Sequence, residues 1–71
     1  MKFYVMDRTG HSTVEFKPEE TEAAMAKFME LVGEQKFTAA TKKSGKSEYN
    51  VIKDPKDIED ETLFVPHLQG G

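Results

Sequence analysis

Met25, Phe28, Met29 and Val32 recur at i, i+3, i+4 and i+7 and draw one apolar stripe down a helix. This stripe constrains the fold most, because the chain has 71 residues and no cysteine. A helix that is apolar along one side must bury that side. With no disulfide and no Cys-ligated zinc to help, the covering surface has to come from the flanking segments. A core of this size supplies only roughly 3–5 kcal/mol of net stability, so one helix on one sheet is the economical solution. Pro18-Glu19-Glu20-Thr21 opens the helix, with proline suited to the first turn and the two glutamates complementing the dipole. Gly33 is the expected stop, and the helix spans about 15 residues. Glu22, Lys27, Glu30 and Glu34 lie mostly off the stripe.

The flanks read as strands. Residues 2–7 and 12–16 are rich in strand formers, with Phe3 and Val5 on one face and Val14 and Phe16 sharing a face of the second. Arg8-Thr9-Gly10-His11 turns between them, so the chain opens with a hairpin. Residues 36–41 and 48–53 form a second pair around Ser44-Gly45-Lys46. Phe37 and Ala39 alternate with Thr38 and Ala40, and Tyr49 and Val51 with Asn50 and Ile52. Val51 is assigned to the core; either face is apolar enough to leave Ile52 open. Asp54-Pro55-Lys56-Asp57 is a turn or loop, with Ile58 pinning it to the core. Thr62-Leu63-Phe64-Val65 is a last short strand, and Pro66 ends regular pairing or marks an edge. The fold class is α+β: a ββαββ order with a final short strand, and one helix packed on a mixed sheet. The periodicity leaves the strand order open, including a split antiparallel order.

The net charge of -3 argues against a phosphate-backbone binder, so no nucleic-acid partner is expected. No apolar run approaches the roughly 20 residues that cross a bilayer, and no leader pattern opens the chain, so no membrane partner and a cytoplasmic protein are expected; a monomer is the default, as the sequence carries no signal of oligomeric state. No Ser/His/Asp arrangement, P-loop or dinucleotide fingerprint occurs, and neither enzymatic activity nor a cofactor is expected. His11 and His67 have no His or Cys partner at ligand spacing, so no metal is expected. The stretch Asp54, Asp57, Glu59, Asp60, Glu61 lacks the spaced pattern and central glycine of a calcium loop and reads as a solvated acidic face able to steer a basic partner. Lys42, Lys43 and Lys46 read as a solvated turn.

The last four residues are Leu68-Gln69-Gly70-Gly71. Glycine has no Cβ, so a diglycine carboxylate can thread a narrow channel and be approached closely by another active site. An adenylating enzyme needs that access to activate a carboxylate and pass it to a thiol or an amine. An extended tail can also be held by strand-like hydrogen bonds with Leu68 in a pocket, or Leu68 can fold back on the domain.

The ends and the middle together resemble ubiquitin and its prokaryotic relatives. Met1-Lys2-Phe3-Tyr4-Val5 with Thr9-Gly10 is similar to the first hairpin of ubiquitin, and Phe16-Lys17-Pro18-Glu19-Glu20-Thr21 to the segment leading into its helix. Glu61-Thr62-Leu63-Phe64-Val65 and Leu68-Gln69-Gly70-Gly71 resemble its final strand and tail. The resemblance implies a β-grasp (ubiquitin-like) domain over residues 1–66, with the first and last strands paired centrally, and a flexible tail over residues 67–71. It implies a protein modifier: Gly71 supplies the carboxylate that is activated and conjugated to target amines, and Gly70 keeps the approach open. The implied partners are an adenylating enzyme and a downstream transfer enzyme or target protein. Because nothing follows Gly71, the form given is expected to be mature. The family also uses an apolar patch on the sheet for recognition. Here Ile52, Phe64 and Leu68, with Ala40 beside them, supply one if they face outward, and Leu68 and Gln69 are the tail contacts; otherwise Ile52 and Phe64 are core. Two other readings fit the same residues: a sulfur carrier bearing a Gly71 thiocarboxylate, and a small binding module, such as a phage or mobile-element protein, whose diglycine is incidental.

Overall fold

In the computed structural model, which describes residues 1–7 and 9–66, the strand formers of the first hairpin pair as β1 (Lys2–Asp7) and β2 (Gly10–Glu15). Asp7 shapes the turn, its Oδ1 accepting from the Thr9 amide (2.8 Å) and the Thr9 hydroxyl (2.7 Å). Gly10 follows at φ +133°, a conformation that L side chains rarely adopt. The pairing register, Lys2 with Glu15 through Asp7 with Gly10, places Phe3 opposite Val14. Phe16 lies beyond the strand, but its amide still donates to the Met1 carbonyl (2.7 Å), which carries the pairing one residue further.

The helix α1 runs over Thr21–Met29 and continues as one π-wound turn, Glu30–Glu34. It starts three residues later than Pro18 suggests. Lys17 and Glu20 first close a turn, with the Glu20 amide donating to the Lys17 carbonyl (2.9 Å) and the Lys17 amide to the Glu20 carboxylate (2.8 Å). Gly33 does not stop the helix either. The Gln35 amide donates back to the Glu30 carbonyl (3.1 Å), and the left-handed residue that turns the chain away is Lys36, at φ +60°. The buried stripe is Ala24, Phe28 and Leu31. Met25 and Val32 are half-buried flanks of it, and Met29 is 54% exposed.

β3 (Phe37–Lys42), β4 (Asn50–Ile52), a short 3-10 turn at Pro55–Asp57 and β5 (Glu61–Pro66) complete the chain. Asp54 caps the 3-10 turn by accepting from the Lys56 amide (2.9 Å). The sheet has five strands in the order β2-β1-β5-β3-β4. β1 and β5 are parallel and central, and the other neighbours are antiparallel. The first and last segments of the chain therefore meet in the middle of the sheet, and a split antiparallel order is ruled out. The fold is α+β, one helix on a mixed sheet.

The helix covers the face carrying Phe3, Val5, Ala39 and Phe64. Aromatic rings run through this core in series. Phe16 lies 5.0 Å from Phe3, Phe3 4.9 Å from Phe64, and Phe64 5.7 Å from Phe28, centroid to centroid and inclined to one another. Ile58 packs against the cluster as expected.

Candidate functional site

The strand that leads toward the diglycine is held from both sides. β5 pairs with β1 from Glu61 to Phe64 and with β3 from Glu61 to Pro66. Pro66 stands opposite Phe37 as the last paired residue of β5, with a strand neighbour on that side alone among the described residues. Proline is accommodated there because the β1 ladder stops at Phe64, leaving β3 as the neighbour. At the other end of β5, two buried threonines tie the preceding loop to the sheet. The Thr41 hydroxyl lies 3.0 Å from that of Thr62 and 3.1 Å from the Glu61 carbonyl, to which it donates; it accepts from the Glu59 amide at 2.8 Å. No buried side-chain polar atom among the described residues lacks a partner. His67, Leu68, Gln69, Gly70 and Gly71 lie outside the described residues.

Of the two orientations open to Ile52 and Phe64, the structure takes the inward one, so neither supplies the outward recognition patch. Phe64 is 0% exposed, with its ring against Phe3 and Phe28, and cannot meet a partner. Ile52 is half-buried and packs on the core, whereas Val51, assigned to the core, is 68% exposed. Successive strand residues point to opposite faces, so this slip exchanges the whole set. Ala40 does lie on the outward parity.

The open face of the sheet therefore carries a different group. Thr13, Tyr4, Leu63, Ala40 and Val51 are register partners and form one row across all five strands. Met6, opposite His11, adds to the row on one side, with 44% of its surface exposed. On the other side runs a row of alternating charge, Glu15, Lys2, Glu61 and Lys42. Lys42 Nζ lies 3.8 Å from the Glu61 carboxylate and 5.6 Å from the ring centre of Tyr49. A shallow depression of about 300 Å³ is bounded by Tyr4, Met6, His11, Tyr49, Glu61 and Leu63. Its floor is mostly apolar, with one carboxylate at the end. The Tyr4 hydroxyl donates to Glu61 Oε1 at 3.3 Å. Partial burial, together with the Glu61 carboxylate, raises the Tyr4 pKa above its ordinary value. The arrangement is a shallow, mostly apolar surface with one phenol–carboxylate pair at its end.

Other candidates from the sequence fall into structural roles. Lys42 is half-buried rather than solvated, donating to the Lys46 carbonyl (2.9 Å) as well as pairing with Glu61, while Lys43 and Lys46 are exposed. Asp60 accepts from the Ser44 amide (2.8 Å) and so fastens the 43–46 turn to the start of β5. His11 is exposed, and no group of three or more His, Cys, Asp or Glu among the described residues is placed to hold a metal ion. No helix among them is long and apolar enough to cross a membrane.

Compared with protein-family models, with curated proteins and with solved structures, the chain matches none.

Proposed function

We propose that this domain is a β-grasp of the ubiquitin-like kind and that the protein is a modifier, activated at the Gly71 carboxylate by an adenylating enzyme and conjugated to target amines. The observation that carries this reading is the strand order β2-β1-β5-β3-β4 with β1 and β5 parallel at the centre. The resemblance at the two ends of the sequence implies that arrangement, and residues from those two ends form the central pair. It also suits the chemistry. An enzyme that draws a C-terminal carboxylate into its active site pulls on the strand before it, and here that strand is held on both sides and anchored by Phe64 and Thr62 in the core. The protein then acts as substrate and carrier, not as enzyme.

The open face supplies the recognition surface in this reading. Tyr4, Met6, Leu63, Tyr49 and Val51 are apolar or aromatic and outward, and they form it in place of the inward-facing Ile52 and Phe64. Exposed large apolar side chains gathered on one face mark interaction surfaces.

Incubating the chain with ATP and a lysate of its source, beside a variant lacking Gly71, tests the reading. ATP-dependent higher-mass adducts that require Gly71 support conjugation. A sulfur-for-oxygen mass gain on the free chain supports the sulfur carrier instead. If the two chains behave alike and loss of Gly71 is harmless in vivo, the diglycine is incidental and both readings fall.

A further inference from the structure

A second surface lies at the far edge of the sheet. β4 pairs with β3 only through Ala39, Ala40 and Thr41, although β3 begins at Phe37. The strands part beyond Ile52, and a groove of about 290 Å³ opens there. Its walls are almost wholly apolar. Val32 comes from the π-wound end of the helix, Phe37 from the start of β3, and Val51 and Ile52 from β4. β4 is the last strand of the sheet, so one of its edges has no strand neighbour among the described residues. An uncovered edge presents backbone groups able to pair with another extended chain. The rim carries Lys53, and Lys36 immediately precedes Phe37; no carboxylate among the described residues pairs with either. A basic rim on a chain of net charge -3 selects for an acidic ligand.

We propose that this groove and the β4 edge hold an extended acidic–apolar segment of a partner protein. The segment adds a strand along β4, seats one aliphatic side chain among Val32, Phe37 and Ile52, and sets a carboxylate against Lys53. Main-chain pairing provides affinity, while the apolar seat and the lysine provide selectivity. This surface meets the open face at Val51 and does not depend on the chemistry of Gly71.

The test is a titration of the isotope-labelled full chain with a short blocked peptide in which Val-Leu-Val is flanked by Glu and Asp, beside the same peptide flanked by lysines. Saturable shift changes at Val32, Phe37, Val51, Ile52 and Lys53 with the acidic peptide, and weaker ones with the basic peptide, are expected. Lys53→Glu, at an exposed position, should weaken the acidic peptide roughly fivefold and reverse the preference. Val51→Glu, also exposed, should weaken the acidic peptide without changing the melting temperature. Absence of saturable shifts, shifts confined to Tyr4 and Leu63, or an equal response to both peptides would overturn the proposal. So would binding only to a chain shortened to Pro66, because residues 67–71 would then be the occupant.

Discussion

The rings of Phe3 and Phe64 lie 4.9 Å apart, centroid to centroid, across the one parallel strand pair in the sheet. This contact joins the third residue of the chain to the strand that precedes the diglycine, so the two ends of the sequence are stabilised together. Phe64→Ala should cost roughly 3–5 kcal/mol, which is enough to unfold much of a domain this small. Leu63→Ala, on the opposite face and half-exposed, should cost far less. Chemical denaturation of the pair reads out which parity of β5 is buried. The reverse order of effects would mean that the strand faces the other way.

The Thr41 hydroxyl makes a second, polar anchor. It serves Glu61 as donor and Glu59 as acceptor inside the core. Thr41→Val should cost roughly 1–3 kcal/mol, because the Glu59 amide and the Thr62 hydroxyl lose their partner. Thr41→Ser should recover most of it. Faster hydrogen exchange of the Glu59 amide in the valine variant alone is the local readout.

How much of this was legible in the sequence follows from how different the two faces of each element are. The first hairpin was readable because Phe3 and Val5 contrast with Lys2, and because glycine marks the turn. The helix was readable as a helix, but its phase was not. Met25 and Met29 are as apolar as Leu31 and Ala24, and both sets include or flank Phe28. Apolarity alone therefore extends the stripe to Met29, which the fold leaves 54% exposed. In β5, Thr62, Leu63, Phe64 and Val65 give a period of two nothing to discriminate, so the sequence leaves the face of Phe64 open. The same ambiguity exchanged Val51 and Ile52. The shared face of Phe3 and Val5 leaves Tyr4 and Met6 on the other, yet only the strand order brings them beside Leu63 and Tyr49. The central pairing of β1 with β5 depends on contacts between the chain ends, which no local pattern encodes.

Lys36 occupies the left-handed region at φ +60°, where a Cβ crowds the backbone. Lys36→Gly relieves that crowding and gives back part of the gain through a freer unfolded chain. A net stabilisation of roughly 0.5–1 kcal/mol is expected. Urea unfolding measures it, and a loss of stability would show that the lysine side chain contributes more than its backbone costs.

Two groups give the fold a pH signature. The Thr9 hydroxyl and amide, with the Gly10 amide, hold the Asp7 carboxyl below its ordinary value of 3.8. The folded state therefore binds that proton less readily than the unfolded chain does. Its stabilisation is present above 3.8 and is lost as pH falls through the lowered value. Asp7→Asn keeps an acceptor for Thr9 and should flatten this part of the acid limb of a urea-midpoint profile. At the alkaline end, burial and Glu61 raise the Tyr4 phenol above 10.0, so its contribution is present below 10.0 and is lost as pH rises through the raised value. Tyr4→Phe should remove the phenolate absorbance change that comes above 10.0; its persistence would assign that titration elsewhere.

The central claim concerns the Gly71 carboxylate, and tandem mass spectrometry of tryptic digests from cells of the source tests it most directly. Gln69 offers trypsin no site, and the last Lys or Arg is Lys56, so a conjugate leaves residues 57–71 as a branch on the modified lysine. The account predicts lysines of other proteins joined to that branch through Gly71. Abundant free chain with an unmodified Gly71 carboxylate, and no branched peptide at matched depth, would contradict it.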